Sequence, residues 1–274
     1  MNGGALSISA DWTADGGVRI LCVRLERPPI ARLFVGMTDD ELLAAVPLLY
    51  SLCAQAQRAA AACALAAARD APLPEVDARS LWRENLRERL WRLCLDWPAA
   101  LGQSNAAQQV ARAAFVAWRK RFDESPQTFD EATAAVFEFL RHAAMPQKYL
   151  TPVPCPLISD AQAVWQALRK NRPYPVTARG GNKRGNRGGY ARIQTARGIL
   201  THRLTLDAAG RIARYQITAP TDRHFADAAA LTACLASERP ADFAAAKRAL
   251  ACAVLTLDPC VPHQMTWLKP EQDN

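Results

Sequence analysis

Residues 195–221 read Thr195-Ala-Arg-Gly-Ile-Leu-Thr-His-Arg-Leu-Thr-Leu-Asp-Ala-Ala-Gly-Arg-Ile-Ala-Arg-Tyr-Gln-Ile-Thr-Ala-Pro-Thr221. Apolar and polar side chains alternate from Ile199 to Leu206, the period-2 signature of a half-buried strand. Asp207-Ala-Ala-Gly210 is a turn, and Arg211 to Thr218 returns with Ile212, Tyr215 and Ile217. This stretch therefore predicts a β-hairpin. The chain begins in the same way. Leu6-Ser-Ile-Ser-Ala10 alternates, Asp15-Gly16-Gly17 turns, and Val18 to Leu25 alternates again until Pro28-Pro29 ends the pattern.

Helices are expected between the hairpins. Thr38 is an N-cap followed by Asp39, Asp40 and Glu41, with capping-box spacing. The helix it starts is expected to reach about Arg69, with a break at Pro47. Ala71-Pro-Leu-Pro74 reads as a linker. Further helices are predicted over Ala78–Asp96, Asn105–Phe122, Phe129–Ala144 and Asp160–Asn171. In the first of these, Leu81, Leu86, Leu90, Trp91, Leu93 and Cys94 form an apolar stripe opposite Arg83, Glu84, Arg87 and Glu88. Trp82, Trp91, Trp97 and Trp118 read as core. Met145–Leu157 is a Pro-rich loop. Pro173–Tyr190 is Gly/Arg/Asn-rich and expected to be irregular, a flexible basic loop. Two more helices, Phe225–Ala236 and Pro240–Leu255, lead into Asp258-Pro259-Cys260, and a polar tail closes the chain. The fold class is α+β: a mainly helical body with β-hairpins near the N-terminus and in the C-terminal third. Residues 1–274 are expected to form one domain without internal repeats.

Bulk properties narrow the function. The chain has 274 residues, of which 50% are hydrophobic, enough for a sizeable core. No window offers the roughly 18 apolar residues that argue a membrane span. Met1-Asn-Gly-Gly-Ala5 lacks the pattern of a signal peptide. A cytoplasmic protein without membrane insertion is expected. Eight cysteines without an export signal point to reduced thiols. Cys22, Cys63, Cys94, Cys234 and Cys252 sit in apolar runs and read as core, whereas Cys155, between two prolines, stays undecided. The net charge of +8 speaks to solubility and non-specific association.

The segment Arg179-Gly-Gly-Asn-Lys-Arg-Gly-Asn-Arg-Gly-Gly189 carries basic residues and no acidic one. Only Tyr174 and Tyr190 flank it, so the stacking rings of a nucleic-acid segment are missing. No nucleic-acid partner is expected, and docking of an acidic partner fits better. An RNA-binding module would instead show strongly salt-dependent binding. The segment does not match a phosphate-binding P-loop. Conventional catalysis finds little support: there is no G-x-S-x-G elbow and no C-x-x-C pair. The chain is not expected to be an enzyme. Cys260 and His263 have C-x-x-H spacing at a helix end, which suits two donors to one metal. Read singly, a chance pairing with a surface histidine explains them equally well.

Segment order changes that balance. Thr195–His202 resembles the P-R-G-x-L-x-H segment of the nickel–iron hydrogenase large subunit. Gly210–Thr221 resembles its G-x-I-x-x-Y-q-[IV]-x-x-P-[ST] segment, and Leu257-Asp-Pro-Cys260 the start of its D-P-C-x-x-C-x-x-H. Leu48–Ala56 resembles its R-[IV]-C-G-x-C segment more loosely. The resemblance is nearer still to the shortened HupK/HoxV-type hydrogenase assembly proteins. In the large subunit four cysteines hold nickel, two of them bridging to an iron that carries two cyanides and a carbon monoxide.

The resemblance carries the first cysteine of each pair onto Cys53 and Cys260. The second of each pair is replaced, by Ala56 and His263. Ser51 and Ala54 stand for the arginine and glycine of the first motif, and Thr266 for the histidine after the second. Those departures remove two thiolates, so nickel is not expected. Arg197 matches the arginine near one cyanide, and Thr221, after Pro220, the hydroxyl donor to the other. The resemblance therefore implies a maturation scaffold that transiently holds an iron–dicyano–carbonyl fragment on Cys53 and Cys260, with His263 as third donor or transfer residue. Its partners would be hydrogenase maturation factors and the large-subunit precursor, and its short tail would not be cleaved. A metal-free chaperone of hydrogenase subunits is the alternative. The two are separated by whether Cys53 and Cys260 come within about one metal-bridging distance in the fold, roughly 3.5–4 Å between thiolates on one metal.

Overall fold

A computed structural model describes residues 4–13, 15–142, 157–183 and 186–268. The Pro-rich loop, Cys155 and the tail after Leu268 fall wholly or almost wholly outside them.

Strands β1 (Ala5–Trp12) and β2 (Val18–Glu26) form the expected antiparallel hairpin. Leu6, Ile8 and Ala10 point inward from β1 and are buried. A third strand, β7 (His263–Trp267), was not legible in the polar C-terminal sequence. It pairs in parallel with β1, Leu6 opposite His263, so the ends of the described chain share one sheet. Parallel pairing across the whole chain has no local sequence signature.

Thr38 caps α1 (Asp39–Leu49) through a complete capping box. Pro47 lies inside α1 rather than at its end. The break falls at residues 50–53, and α2 (Ala54–Ala68) starts there. Pro47 is tolerated because only the last turn of α1 follows it, so few backbone bonds are at stake.

The sharpest departure lies at 173–190. Val176–Lys183 and Asn186–Thr195 are strands β3 and β4, not an irregular loop. With β5 (Gly198–Leu206) and β6 (Ile212–Thr218) they make an antiparallel sheet in the order β3-β4-β5-β6. The glycines explain why the sequence misleads. A Cβ on Gly180 would stand 1.7 Å from the Ala67 carbonyl oxygen, and one on Gly189 would stand 2.2 Å from that of Ala64. Glycine, read as a loop signal, is here what lets two strands touch the backbone of the alanine-rich α2.

The helical body packs separately. It comprises α3 (Ala78–Trp91), a π-helical turn (Arg92–Asp96), α4 (Trp97–Ala100), α5 (Asn105–Lys120), α6 (Pro126–His142) and α7 (Leu157–Arg169). Trp97, Trp118, Phe129, Phe137 and Leu140 fill its core, while Trp91 stays 42% exposed. Short α8 (Pro220–His224), α9 (Ala229–Leu235) and α10 (Phe243–Leu257) return the chain to the first sheet. Cys63, Cys94 and Cys252 are core residues as expected, Cys234 is half-buried, and Cys22 is exposed because it faces outward from β2.

One expectation about α3 needs correction. Glu84 and Glu88, assigned to its solvated face, are 7% and 4% exposed. A stripe pattern cannot tell water from a buried polar partner, and both carboxylates find such partners in the site.

Candidate functional site

Because the chain breaks at 50–53, Cys53 becomes the N-cap residue of α2. It makes no side-chain cap bond. The capping acceptor is supplied from another helix: the Glu84 carboxylate accepts the N–H of Gln55 at 2.8 Å and of Ala56 at 3.0 Å. Burial still pushes the Glu84 carboxyl up to about 7, against the pull of those two N–H donors.

The Cys53 sulfur accepts the Gln57 side-chain amide at 3.5 Å. Gln57 is itself locked: its Oε1 lies 2.7 Å from His202 Nε2, and His202 Nδ1 lies 2.7 Å from the Tyr215 hydroxyl. His202 is fully buried, which drives its pKa down to about 3 and keeps it neutral. Since Gln57 Oε1 can only accept, Nε2 carries the proton and Nδ1 accepts from Tyr215. Each hydrogen bond in this chain points toward Cys53. Burial, followed by the nearby Glu84 carboxylate, raises the Cys53 thiol to about 12.

Arg197 occupies the two-residue tip of the β4–β5 hairpin. Thr195 braces the tip, its hydroxyl donating to the Gly198 carbonyl at 2.8 Å and accepting the Arg197 N–H at 3.3 Å. The tip points into the protein: the Arg197 side chain is 5% exposed and sits 3.0 Å from Glu88 and 3.3 Å from Asp258. Burial alone would lower its pKa, but those two carboxylates outweigh burial and hold it above the ordinary arginine value. Asp258 ends α10 in the left-handed region, at φ 48°. Arg92, aimed by the π-helical turn, grips Asp258 at 2.5 Å and also the Pro259 carbonyl. Such single-turn π segments often occur at functional sites.

Cys260 follows directly. Its N–H donates to the Thr221 hydroxyl at 3.1 Å, and that hydroxyl donates to the Cys260 sulfur at 3.2 Å. The Arg27 guanidinium, from the loop after β2, donates to the same sulfur at 3.2 Å and pairs with Asp222 at 2.7 Å.

These pieces surround one cavity of about 200 Å³, lined among others by Arg27, Tyr50, Cys53, Arg197, Pro220 and Cys260. Cys53, Arg197, Pro220 and Cys260 thus come together from four parts of the chain, with the buried Thr221 behind Cys260. His263 does not join them. It opens β7, half-buried within the electrostatic reach of Arg92 and Asp96, and is absent from the cavity wall. Among the described residues, no group of three or more His, Cys, Asp or Glu side chains is placed to hold a metal. Chemically, the cavity offers two soft sulfur donors beside a guanidinium already committed to carboxylates and a second one on a sulfur.

The sequence did not mark Arg27, Gln57, Glu84, Glu88 or Arg92 as site residues. The i, i+4 spacing of Glu84 and Glu88 was visible, but it reads the same on a solvated helix face. His202 entered only as part of a matched segment.

No protein-family model matches the chain. It is 30% identical to the hydrogenase expression/formation protein HupV of Azotobacter chroococcum mcd 1 over an alignment of 331 residues, covering 92% of this chain and 95% of HupV. It is also 30% identical to the hydrogenase expression/formation protein HupK of Rhodobacter capsulatus, covering 88% of this chain and 92% of HupK. The chain belongs to the HupV/HupK family of hydrogenase expression/formation proteins. These relatives are named as hydrogenase expression/formation proteins rather than as enzymes. The backbone resembles a chain of an NAD⁺-reducing [NiFe]-hydrogenase in the H₂-reduced state, with a TM-score of 0.54 at 14% identity, covering 90% of this chain and 93% of that chain. That likeness concerns the fold alone, and it agrees with the expected α+β architecture. No helix among the described residues is long and apolar enough to cross a membrane.

Proposed function

We propose that this HupV/HupK-family protein is a maturation scaffold for nickel–iron hydrogenase, holding an iron–dicyano–carbonyl fragment before it passes to the large-subunit precursor. The observation that carries this reading is the cavity itself, where Cys53 and Cys260 meet Arg197 and Pro220. Cys53 and Cys260 act as the sulfur ligands. Arg197, with its orientation fixed by Glu88 and Asp258, serves a cyanide nitrogen as donor, and Thr221 would serve the other only by redirecting the one proton it gives to the Cys260 sulfur.

Two physical points support the fit. A cavity of about 200 Å³ exceeds the roughly 150 Å³ that accommodates a benzene ring. The donor set is also too small for a bare cation but adequate for a metal arriving with ligands of its own. Loading requires deprotonation of Cys53, so uptake releases protons and strengthens as pH rises. The work is handover rather than turnover, carried out in the cytoplasm with maturation factors as partners. Nickel has no place in this reading, since two of the four thiolates are missing.

The absence of any larger metal-ligating group among the described residues favours a second reading, a metal-free chaperone of hydrogenase subunits. Infrared spectroscopy of protein purified from cells expressing the maturation system separates the two. Cyanide and carbonyl stretching bands are expected in the parent and not in the Cys53→Ala/Cys260→Ala double variant. A folded parent without bands, co-expressed with active maturation factors, leaves the metal-free chaperone.

A further inference from the structure

The sheet β3-β4-β5-β6 has two faces of opposite character. Its inner face lies on α2 and carries Ala191, Ile193, Leu204 and Tyr215, all buried. Its outer face follows from the register. Arg179 stands opposite Tyr190, Tyr190 opposite Arg203, and Arg203 opposite Gln216. One step along one way, Arg192 sits between Thr177 and Thr201; one step the other way, Thr205 stands opposite Arg214. Arg179, Arg192, Arg203 and Arg214 are therefore neighbours on one surface, and all four are exposed.

None of them stands directly opposite another. The register staggers them on diagonals, where side chains sit roughly 7–8 Å apart. No aspartate or glutamate occurs in any of the four strands. Other arginines of the protein, such as Arg19, Arg69, Arg92 and Arg197, find carboxylates, but none of the ion pairs among the described residues involves these four. The one aromatic ring on the face, Tyr190, is half-buried under the Arg203 guanidinium, 6.0 Å from its centroid. At physiological ionic strength the screening length is about 8 Å, close to the diagonal spacing, so the charges act as one field.

We propose that this outer face docks an acidic, extended segment of a partner protein. Charge complementarity selects an anion, and two features select protein over nucleic acid. A single capped tyrosine is no platform for stacked bases. An extended peptide repeats its same-side carboxylates about every 6.7 Å, two residues at roughly 3.3 Å each, which matches the guanidinium stagger. None of the four arginines lines the cavity, so a docked partner leaves the cavity walls untouched. The surface is thus separate from the scaffold reading and does not depend on it.

The test uses the full chain and a fluorescein-labelled oligoglutamate of about 12 residues, long enough at roughly 3.3 Å per residue to cross the sheet, read by anisotropy. The combined variant Arg179→Gln, Arg192→Gln, Arg203→Gln and Arg214→Gln is expected to weaken binding at least about tenfold, with an unchanged circular dichroism spectrum. A charge-matched control, Arg58→Gln, Arg112→Gln, Lys120→Gln and Lys170→Gln, removes four exposed cations away from this sheet face and is expected to stay within about twofold of the parent. Equal losses in the two variants would reduce the effect to net charge and overturn the proposal. Tighter binding of a single-stranded oligonucleotide of equal charge, lost in the same face variant, would assign the face to nucleic acid and overturn it as well.

Discussion

The cavity has two unlike walls. Cys53 stands on a wall built like protein core: the start of a helix pressed on a sheet, with Gln57, Glu84 and His202 all buried and hydrogen-bonded. Cys260 stands on a wall built from loops, tethered by Thr221, Arg27 and, one turn away, the Arg92–Asp258 pair. The first sulfur meets one neutral amide donor, the second a hydroxyl and a guanidinium. The difference teaches that two cysteines assigned equivalent roles by sequence order are held by different physics. Packing fixes Cys53, and directed polar contacts fix Cys260.

Arg197 joins the two walls, so its loss is expected to have the largest effect. Arg197→Met leaves Glu88 with Arg87 alone and the half-buried Asp258 with Arg92 alone, so the expected cost lies toward the low end of the about 3–5 kcal/mol that breaking a buried pair costs. Urea unfolding at neutral pH measures it. A loss below about 1 kcal/mol would mean that the two walls do not share this arginine as a strut.

Glu84 tests the core-like wall through pH. Its folded value of about 7 lies above the ordinary carboxyl value of 4.5, so the folded chain holds this proton longer than the unfolded chain does. The contribution is complete below the unfolded value and is lost as pH rises through the folded one. His202 has the opposite sign. Its folded value of about 3 lies below 6.5, so its contribution is complete above 6.5 and is lost as pH falls. Together they set a stability maximum between these two limits. Glu84→Gln removes the alkaline side. The stability of the variant relative to the parent is expected to rise by roughly 3 kcal/mol from below pH 4.5 to above pH 7, as followed by thermal unfolding across a pH series. A pH-independent difference would show that Glu84 keeps its charge at little cost, and that this wall is more open than its packing suggests.

Thr221→Val tests the tethered wall and is expected to have the smallest effect. It removes the hydroxyl that both accepts the Cys260 N–H and donates to its sulfur, at nearly constant shape. The expected cost is about 1–2 kcal/mol, with no change in slope between pH 4.5 and 7. A cost above that of Arg197→Met would invert the comparison between the walls.

Much of this arrangement can be read in the amino-acid sequence, because its determinants are local. The Thr38–Glu41 capping box, the alternation of Leu6–Ala10 and Ile199–Leu206, and the α5 and α6 helices each express a period or a cap within a few residues. Segment order also singles out Cys53, Arg197, Pro220, Thr221 and Cys260.

Only tertiary structure decided the rest, since those features depend on what lies opposite. Gly180 and Gly189 signal a loop in isolation and become strand residues because α2 lies against them. Glu84 and Glu88 read as solvated until the α2 N-terminus and Arg197 are set beside them. Arg27 reaches Cys260 across 233 positions of sequence, and β7 pairs with a strand at the far end of the chain. Local backbone preference is written residue by residue, whereas burial of charge and non-local pairing exist only once the chain has closed on itself.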